Sequence, residues 1–326
     1  MSTKKKILSV LTENKSTYIS GEELSGMLGI SRAAVWKAVS SLREEGYTID
    51  AVTNKGYILV EKDTAITEKS LRAALPARYK ENPIHIFDTL DSTNNKAKQL
   101  ALAGAPHGTI VMALQQTGGK GRLGRSFFSP REGLYISIII KPDFDLSKSV
   151  LVTSAAAVAV AEAIESVADH KAMIKWVNDV YIDDKKVCGI LTEGMTDFET
   201  GQIENIIIGI GINTSLSGFP EELLRIAGAV EGDYSPAILA AETISKTLDL
   251  MKNMESRQFI EKYKERNFIL GEQITVYQGI YKTDPSEVPS RPARALDIDE
   301  NGGLVVMYSD GSRETLTSGE VSIRRL

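Results

Sequence analysis

Two tight-turn signals inside a strand-rich stretch limit what the middle of this chain can become. Asp183-Asp184-Lys185 and Thr200-Gly201 each separate apolar runs, so the flanking runs fold back as antiparallel neighbours. Strands are expected at 109–114, 134–140, 172–176, 187–191 and 203–212, with an Ala-rich helix over 149–168. Asp91-Ser92-Thr93-Asn94 opens a helical run to Ala103, and further helices are expected within 235–266. The turns exclude a strictly alternating βαβ chain, so the middle reads as α+β with a mixed sheet.

The two ends differ from this middle. Over 271–326, strands at 273–277, 293–299, 304–308 and 314–324 are punctuated by Asn301-Gly302 and Asp310-Gly311, which predicts a small SH3-like β-barrel. Residues 1–62 read as three short helices and a hairpin. Ser20 and Glu23 form a capping-box pattern and Gly29 closes that helix. Ser31 caps the next, where Val35, Val39 and Leu42 recur at helical spacing until Gly46. Strands at 47–52 and 57–60 flank the turn Thr53-Asn54-Lys55-Gly56, a winged helix-turn-helix pattern. The third helix leaves Ser31, Arg32, Ala33, Trp36, Lys37 and Ser40 on its free face, suited to base edges, and the wing puts Lys55 near phosphate. The plainer alternative is a small interaction module with a solvated basic face. Three domains are expected, at 1–62, 63–270 and 271–326.

Charge is consistent with this division. The net charge is −5, but residues 1–62 hold nine Lys/Arg against seven Asp/Glu, leaving −7 for the remainder. One cysteine, Cys188, permits no intramolecular disulfide, and no signal-peptide core or membrane span is read, so a cytoplasmic protein is expected. His85, His107 and His170 are scattered and form neither a Cys-His pair nor a metal site; Cys188 and Trp176 read as core.

The stretch from Gly118 to Arg125, GGKGRLGR, matches the dinucleotide pattern G-x-G-x-x-G. A dinucleotide site must open a helix at its last glycine, and here Arg125-Ser126-Phe127-Phe128-Ser129-Pro130 follows. The Walker pattern fails too, because Gly121 follows Lys120. What remains is a glycine loop carrying Lys120, Arg122 and Arg125, able to close on an anion. A second cationic cluster, KWVNDVYIDDKKVCGIL from Lys175 to Leu191, holds Lys175, Lys185 and Lys186 near Asn178 and Asp179. A third motif, GIGIN, ends at Asn213.

DSTN, the basic glycine loop, KWVND with KKVCG, and GIGIN, in this order, resemble the biotin–protein ligase family in its bifunctional form, which also represses the biotin operon. The resemblance spans nearly the whole chain. Lys120 stands where that family commonly has Arg, Val177 where it has Pro, and Phe127 where relatives often carry Trp.

The resemblance implies biotin as substrate, ATP with Mg²⁺, biotinyl-5′-adenylate as intermediate, and transfer to a lysine of a biotin carboxyl carrier domain. Catalytic work falls to Lys186, Arg122 and Lys120. Ser92, Thr93, Asn94, Gln116, Lys120, Gly121, Arg122 and Lys186 would hold biotin. Gly118, Gly119, Phe127, Asn178, Asp179, Asn213 and Arg324 would hold nucleotide, with no resident metal site. Operator DNA and a homodimer formed on ligand binding are the other expected partners, with no membrane. The alternatives are a lipoate–protein ligase, which shares fold and adenylate chemistry, and a non-catalytic biotin-sensing regulator. Ser92 alone is equally well a helix N-cap.

Overall fold

The computed structural model describes residues 3–14, 17–44, 47, 49–53, 55–59, 66–143, 149–196, 199, 201–277, 289–317 and 320–323. Two compact units result: Met1–Glu81 with Asp233–Glu242, and Asn82–Gly232 with Thr243–Leu326.

The first unit contains α1 (Thr3–Glu13), α2 (Gly21–Leu28), α3 (Arg32–Glu44), the hairpin β1 (Ile49–Val52) and β2 (Gly56–Leu59), and α4 (Glu68–Ala74). Both halves of the capping box on α2 form. The Ser20 hydroxyl accepts from the Glu23 amide, and the Glu23 carboxylate accepts from the Ser20 amide. Gly29 then ends α2 in the left-handed region, at φ 64°. Ile7, Leu11, Leu24, Val35, Val39 and Leu42 interlock as the core of the three helices. The wing is fastened to that core by two hydrogen bonds between Ile19 and Tyr57, both 2.8 Å. The approach leaves no room for a side chain at Gly56 (φ 107°), whose Cβ would lie 2.1 Å from the Ile19 carbonyl oxygen.

The second unit begins with β3 (Ile84–Leu90), α5 (Thr93–Leu102), β4 (Ile110–Gln116), β5 (Gly133–Ile140) and α6 (Ser149–Ala168). It continues through β6 (Met173–Lys175), β7 (Asp179–Ile182), β8 (Lys185–Thr196), β9 (Ile203–Asn213), α7 (Glu221–Leu224), the part of α8 (Pro236–Lys252) from Thr243 onward, and α9 (Phe259–Arg266). Its seven strands run in the order β3-β4-β5-β9-β8-β7-β6. All neighbours are antiparallel except β3 and β4, which are parallel and joined through α5. The sheet is mixed, as the turns predict, with a single βαβ crossover; β3, unmarked by any turn dipeptide, is not among the expected strands. The strand β7 likewise lies outside the expected strands.

Side-chain alternation along β8 places Glu193 toward α5 and Thr192 toward α6, so these helices cover opposite faces of the sheet. Residues 155–161 of α6 are fully buried, which explains a helix of almost uniform apolarity. The stretch Val150–Ala168 is long and apolar enough to cross a membrane by composition, but 72% of it is buried within the fold.

The C-terminal part adds β10 (Gln273–Tyr277), β11 (Ser290–Ile298), β12 (Leu304–Tyr308), β13 (Arg313–Leu316) and β14 (Glu320–Ile323), ordered β13-β12-β11-β10-β14. The single strand read over 314–324 is two. Among the described residues β13 and β14 do not pair, so these strands form an open antiparallel sheet and not the expected closed barrel.

Candidate active site

The alternation in GIGIN creates a hollow. On β9 the even positions Ile206, Ile208, Ile210 and Ile212 are buried on the α6 side. The odd positions face α5, where Gly209 and Gly211 lack side chains. Gly211 pairs with Gly189 of β8, so three glycines floor a cavity of about 150 Å³ beside the start of α5. Phe127 lies on this floor: a Cβ at Gly211 would meet its ring at 2.5 Å and one at Gly189 at 3.0 Å.

One end of the cavity is neutral and hydrogen-bonding. Ser92 occupies the N-cap of α5 but its hydroxyl makes no capping bond. Gln116 caps in its place, its Oε1 accepting from the Thr93 amide (2.8 Å) and hydroxyl (3.1 Å). The Gln116 amide then donates to Ser129 Oγ at 3.0 Å. Ser92, Thr93 and Asn94 are buried and all line the cavity with Gln116.

The other end is cationic. Lys120, Arg122, Arg125, Lys175 and Lys186 line it, against the single carboxylate of Asp179. Lys186 pairs with Asp179 at 2.7 Å, and Arg122 donates to Asn178 Oδ1 at 3.4 Å. Lys120 donates to Asn95 Oδ1 at 2.9 Å. Asn95 in turn donates to Asp91 at 2.5 Å, a bond that, more than the charge of Lys120, holds the Asp91 carboxyl below its usual range. A cavity with this balance favours a ligand carrying more than one negative charge.

The glycine loop is folded back on itself. Gly121 donates to the Arg125 carbonyl at 2.7 Å and Phe127 to that of Gly119 at 2.9 Å, with Leu123 at the tip in the left-handed region (φ 58°, ψ 29°). Gly118 and Gly119 do not line the cavity. Gly118 donates to the Asp91 carbonyl at 2.8 Å, and a Cβ on Gly119 would lie 2.4 Å from the Phe127 carbonyl. Asn213 is also outside the lining; its amide donates to the Gly228 carbonyl at 3.0 Å, fastening residues 228–230 to the end of β9. Arg324 lies outside the described residues.

Reading the motifs alone missed several groups. Gly209, Gly211, Ile190 and Leu191 line the cavity, and Ser137, Lys98 and Glu193 stand behind Asn94. Ser137, the one serine within the apolar run LYISIII, is a signal that could have been found. Cys188 is wholly buried and burial pushes its thiol far above the usual range, so it cannot serve as a nucleophile. No cluster of three or more metal-binding side chains occurs among the described residues. In the first unit Ser31, Arg32, Ala33, Trp36 and Lys37 are exposed along the start of α3, with Ser40 half-buried. Lys55 is exposed on the wing, its ammonium 5.8 Å from the centre of the Tyr18 ring.

Comparison with known proteins shows the family. Residues 86–213 match the model of the biotin/lipoate A/B protein ligase family, 3–58 an HTH domain, and 289–324 the biotin protein ligase C-terminal domain. The bifunctional ligase/repressor BirA of Bacillus subtilis is 40% identical over 314 residues, 95% of this chain and 96% of that protein. Its Escherichia coli counterpart is 26% identical over 98% of the chain and 96% of its own length. Among solved structures, the biotin protein ligase from Aquifex aeolicus in complex with biotin and ATP superposes with a TM-score of 0.62 at 27% identity. That match covers 75% of this chain and 99% of the other.

Proposed function

The chain belongs to the biotin protein ligase family, in its bifunctional ligase/repressor form, and from that premise we propose how its cavity and its winged helix divide the work. The protein is a biotin–protein ligase that uses ATP, and a DNA-binding repressor. The observation that carries the ligase chemistry is the cavity's polarity: neutral hydrogen-bonding groups at one end, five cations and one carboxylate at the other.

In the first half-reaction a biotin carboxylate oxygen bonds to the α-phosphorus of ATP and the bond to pyrophosphate breaks. No base is needed, because the nucleophile is already an anion. The obstacle is anion approaching anion, and two unit charges at 4 Å repel by about 4 kcal/mol at an effective dielectric of about 20. Left uncancelled, that is roughly a thousandfold in rate. Lys186, Arg122 and Lys120 supply the neutralising charge, and the glycine loop holds Arg122 against Asn178. In the second half-reaction a carrier lysine amine bonds to the acyl carbon, AMP leaves with the electron pair, and the nitrogen loses a proton.

Ser92, Thr93, Asn94 and Gln116 hold the biotin ring end, with Gly121 along the ligand. Phe127, Asn178, Asp179 and Arg324 serve the nucleotide, and Asn213, outside the lining, acts by fastening residues 228–230 to the end of β9. Gly118 and Gly119 act through loop shape, since neither lines the cavity. Mg²⁺ arrives with ATP as part of the substrate. Asp179 is a lone carboxylate already paired with Lys186, which does not fit a resident metal site.

The exposed face of Arg32, Trp36 and Lys37, with Lys55 on the wing, reads operator DNA, and two copies associate when the adenylate is bound. Three domains, 1–62, 63–270 and 271–326, carry these roles; the matches at 3–58, 86–213 and 289–324 support that division.

Mass spectrometry of a biotin carboxyl carrier domain after incubation with protein, biotin and MgATP tests the ligase. Biotinylated carrier from the wild type, and none from Lys186→Ala, is expected. Lipoylation without biotinylation would move the protein to the lipoate branch. No product with either acid would leave a ligand-sensing repressor.

A further inference from the structure

The amide of Asn94 sits in a frame that leaves it one way to meet a ligand. Gly209 lies between Ser137 of β5 and Leu191 of β8 across the ladder, and the Asn94 side chain occupies the space its missing Cβ leaves, 2.2 Å from the position such a Cβ would take. Ser137, fully buried, donates its hydroxyl to Asn94 Oδ1 at 2.6 Å. Asn94 Nδ2 donates to Glu193 Oε2 at 2.8 Å and to the Leu191 carbonyl at 3.3 Å. A carbonyl can only accept, and the Glu193 carboxylate, whose other oxygen takes the Lys98 ammonium at 2.6 Å, accepts as well. The atom facing them is therefore the NH₂ group, whatever the ambiguity of an amide outline.

Hydrogen-bonding capacity can then be counted. Both N–H bonds of Asn94 are committed, and Oδ1 has accepted one hydrogen, so among the described residues only a lone pair on Oδ1 is left. Across the same cavity Gln116 is the converse: Oε1 has accepted two hydrogens from Thr93 and Nε2 has given one to Ser129, which leaves one N–H. An acceptor at 94 and a donor at 116 match a ring that bears N–H and C=O together.

We propose that Glu193, backed by Lys98 and joined by Ser137, is a positioning residue that locks Asn94 as an acceptor. It thereby sets the preference of the pocket for a cyclic urea over a ring of carbon and sulfur. This rests on the ligase reading above and assigns the source of its selectivity. Replacing Glu193 by Gln keeps the shape but supplies an amide that can donate, so Asn94 can turn over and present N–H to N–H.

The test is calorimetric titration of biotin, with steady-state kinetics for biotin and ATP, on wild type, Glu193→Gln and Ser137→Ala. Glu193→Gln is expected to weaken biotin binding and raise its KM by about tenfold or more, with KM for ATP within about twofold, because a mismatched buried hydrogen bond penalises one ligand. The rate with lipoate relative to biotin should rise. Ser137→Ala should move biotin affinity in the same direction by less. Biotin affinity unchanged in both variants would overturn the proposal, as would biotin and ATP KM rising together with a lowered unfolding temperature. Should Glu193→Gln fail to fold, unchanged biotin affinity in Ser137→Ala overturns it alone. A wild type that does not biotinylate the carrier would instead remove the underlying ligase reading.

Discussion

Leu123 holds a left-handed backbone at the tip of the glycine loop, where a Cβ costs about 1–2 kcal/mol and a β-branched side chain costs more. Leu123→Val should therefore loosen the loop without touching either core. Amide exchange at Gly121 and Arg125, which the folded loop protects, is expected to quicken while global stability changes by less than about 0.5 kcal/mol. Unchanged exchange would mean the tip strain does not govern the loop. A second test concerns the glycine floor. Gly211→Ala places a methyl 2.5 Å from the Phe127 ring, so it should destabilise by about 1–3 kcal/mol through overpacking. In a Phe127→Ala background denaturant titration should show most of that cost gone; an undiminished cost would place the strain elsewhere. These residue-scale features explain what the motifs could and could not disclose. That Lys186, Arg122 and Asn94 line the cavity was legible because charge or a polar amide marks them. Glu193 was not, because a charged residue on a strand is ordinary until a helix ninety-odd positions away lays Asn94 against it.

At the scale of elements, local signals were most readable where the chain satisfies itself. The capping box on α2 joins residues three apart, so Ser20 and Glu23 disclosed it without tertiary knowledge. The strand β3 was hidden for the opposite reason: it is defined by parallel pairing with β4 across the whole of α5, and no turn chemistry marks such a crossover. The C-terminal turns were visible, but whether a ladder closes depends on pairing between its outermost strands, which no dipeptide encodes. The capping box also yields a prediction. Ser20→Ala should cost about 1 kcal/mol of protection in amide exchange across α2. The Glu23 carboxyl is held below its usual range by the hydrogen bond from the Ser20 amide. A lowered folded value means that its contribution is present above the ordinary carboxylate range and is lost as pH falls through the lowered one. Acidification should weaken α2 in the wild type, and Glu23→Gln should abolish that pH dependence; equal acid sensitivity in both proteins would assign it to another group.

At the scale of the whole molecule, charge distribution makes repression and catalysis separable. A chain of net charge −5 cannot coat nucleic acid, so affinity for DNA must come from a few cations on one face, where Arg32, Lys37 and Lys55 are exposed. Each phosphate contact contributes about −0.9 to the slope of log affinity against log salt. Lys37→Ala should make that slope shallower by about one for each copy bound, whereas Trp36→Ala, which removes an exposed uncharged surface, should lower operator affinity with the slope unchanged. The slope is steepest for a dimer, because two copies of α3 then engage half-sites about one helical turn apart and double the phosphate contacts. If two copies bind one operator, association is linked to operator affinity, and if the adenylate favours association, biotin with ATP will raise both together. Sedimentation with and without biotin and MgATP should show tighter self-association in their presence, and gel shifts at the same concentrations should show a matching gain. Equal association in both conditions would uncouple the ligase from the repressor and leave the DNA-binding unit responding to protein concentration alone.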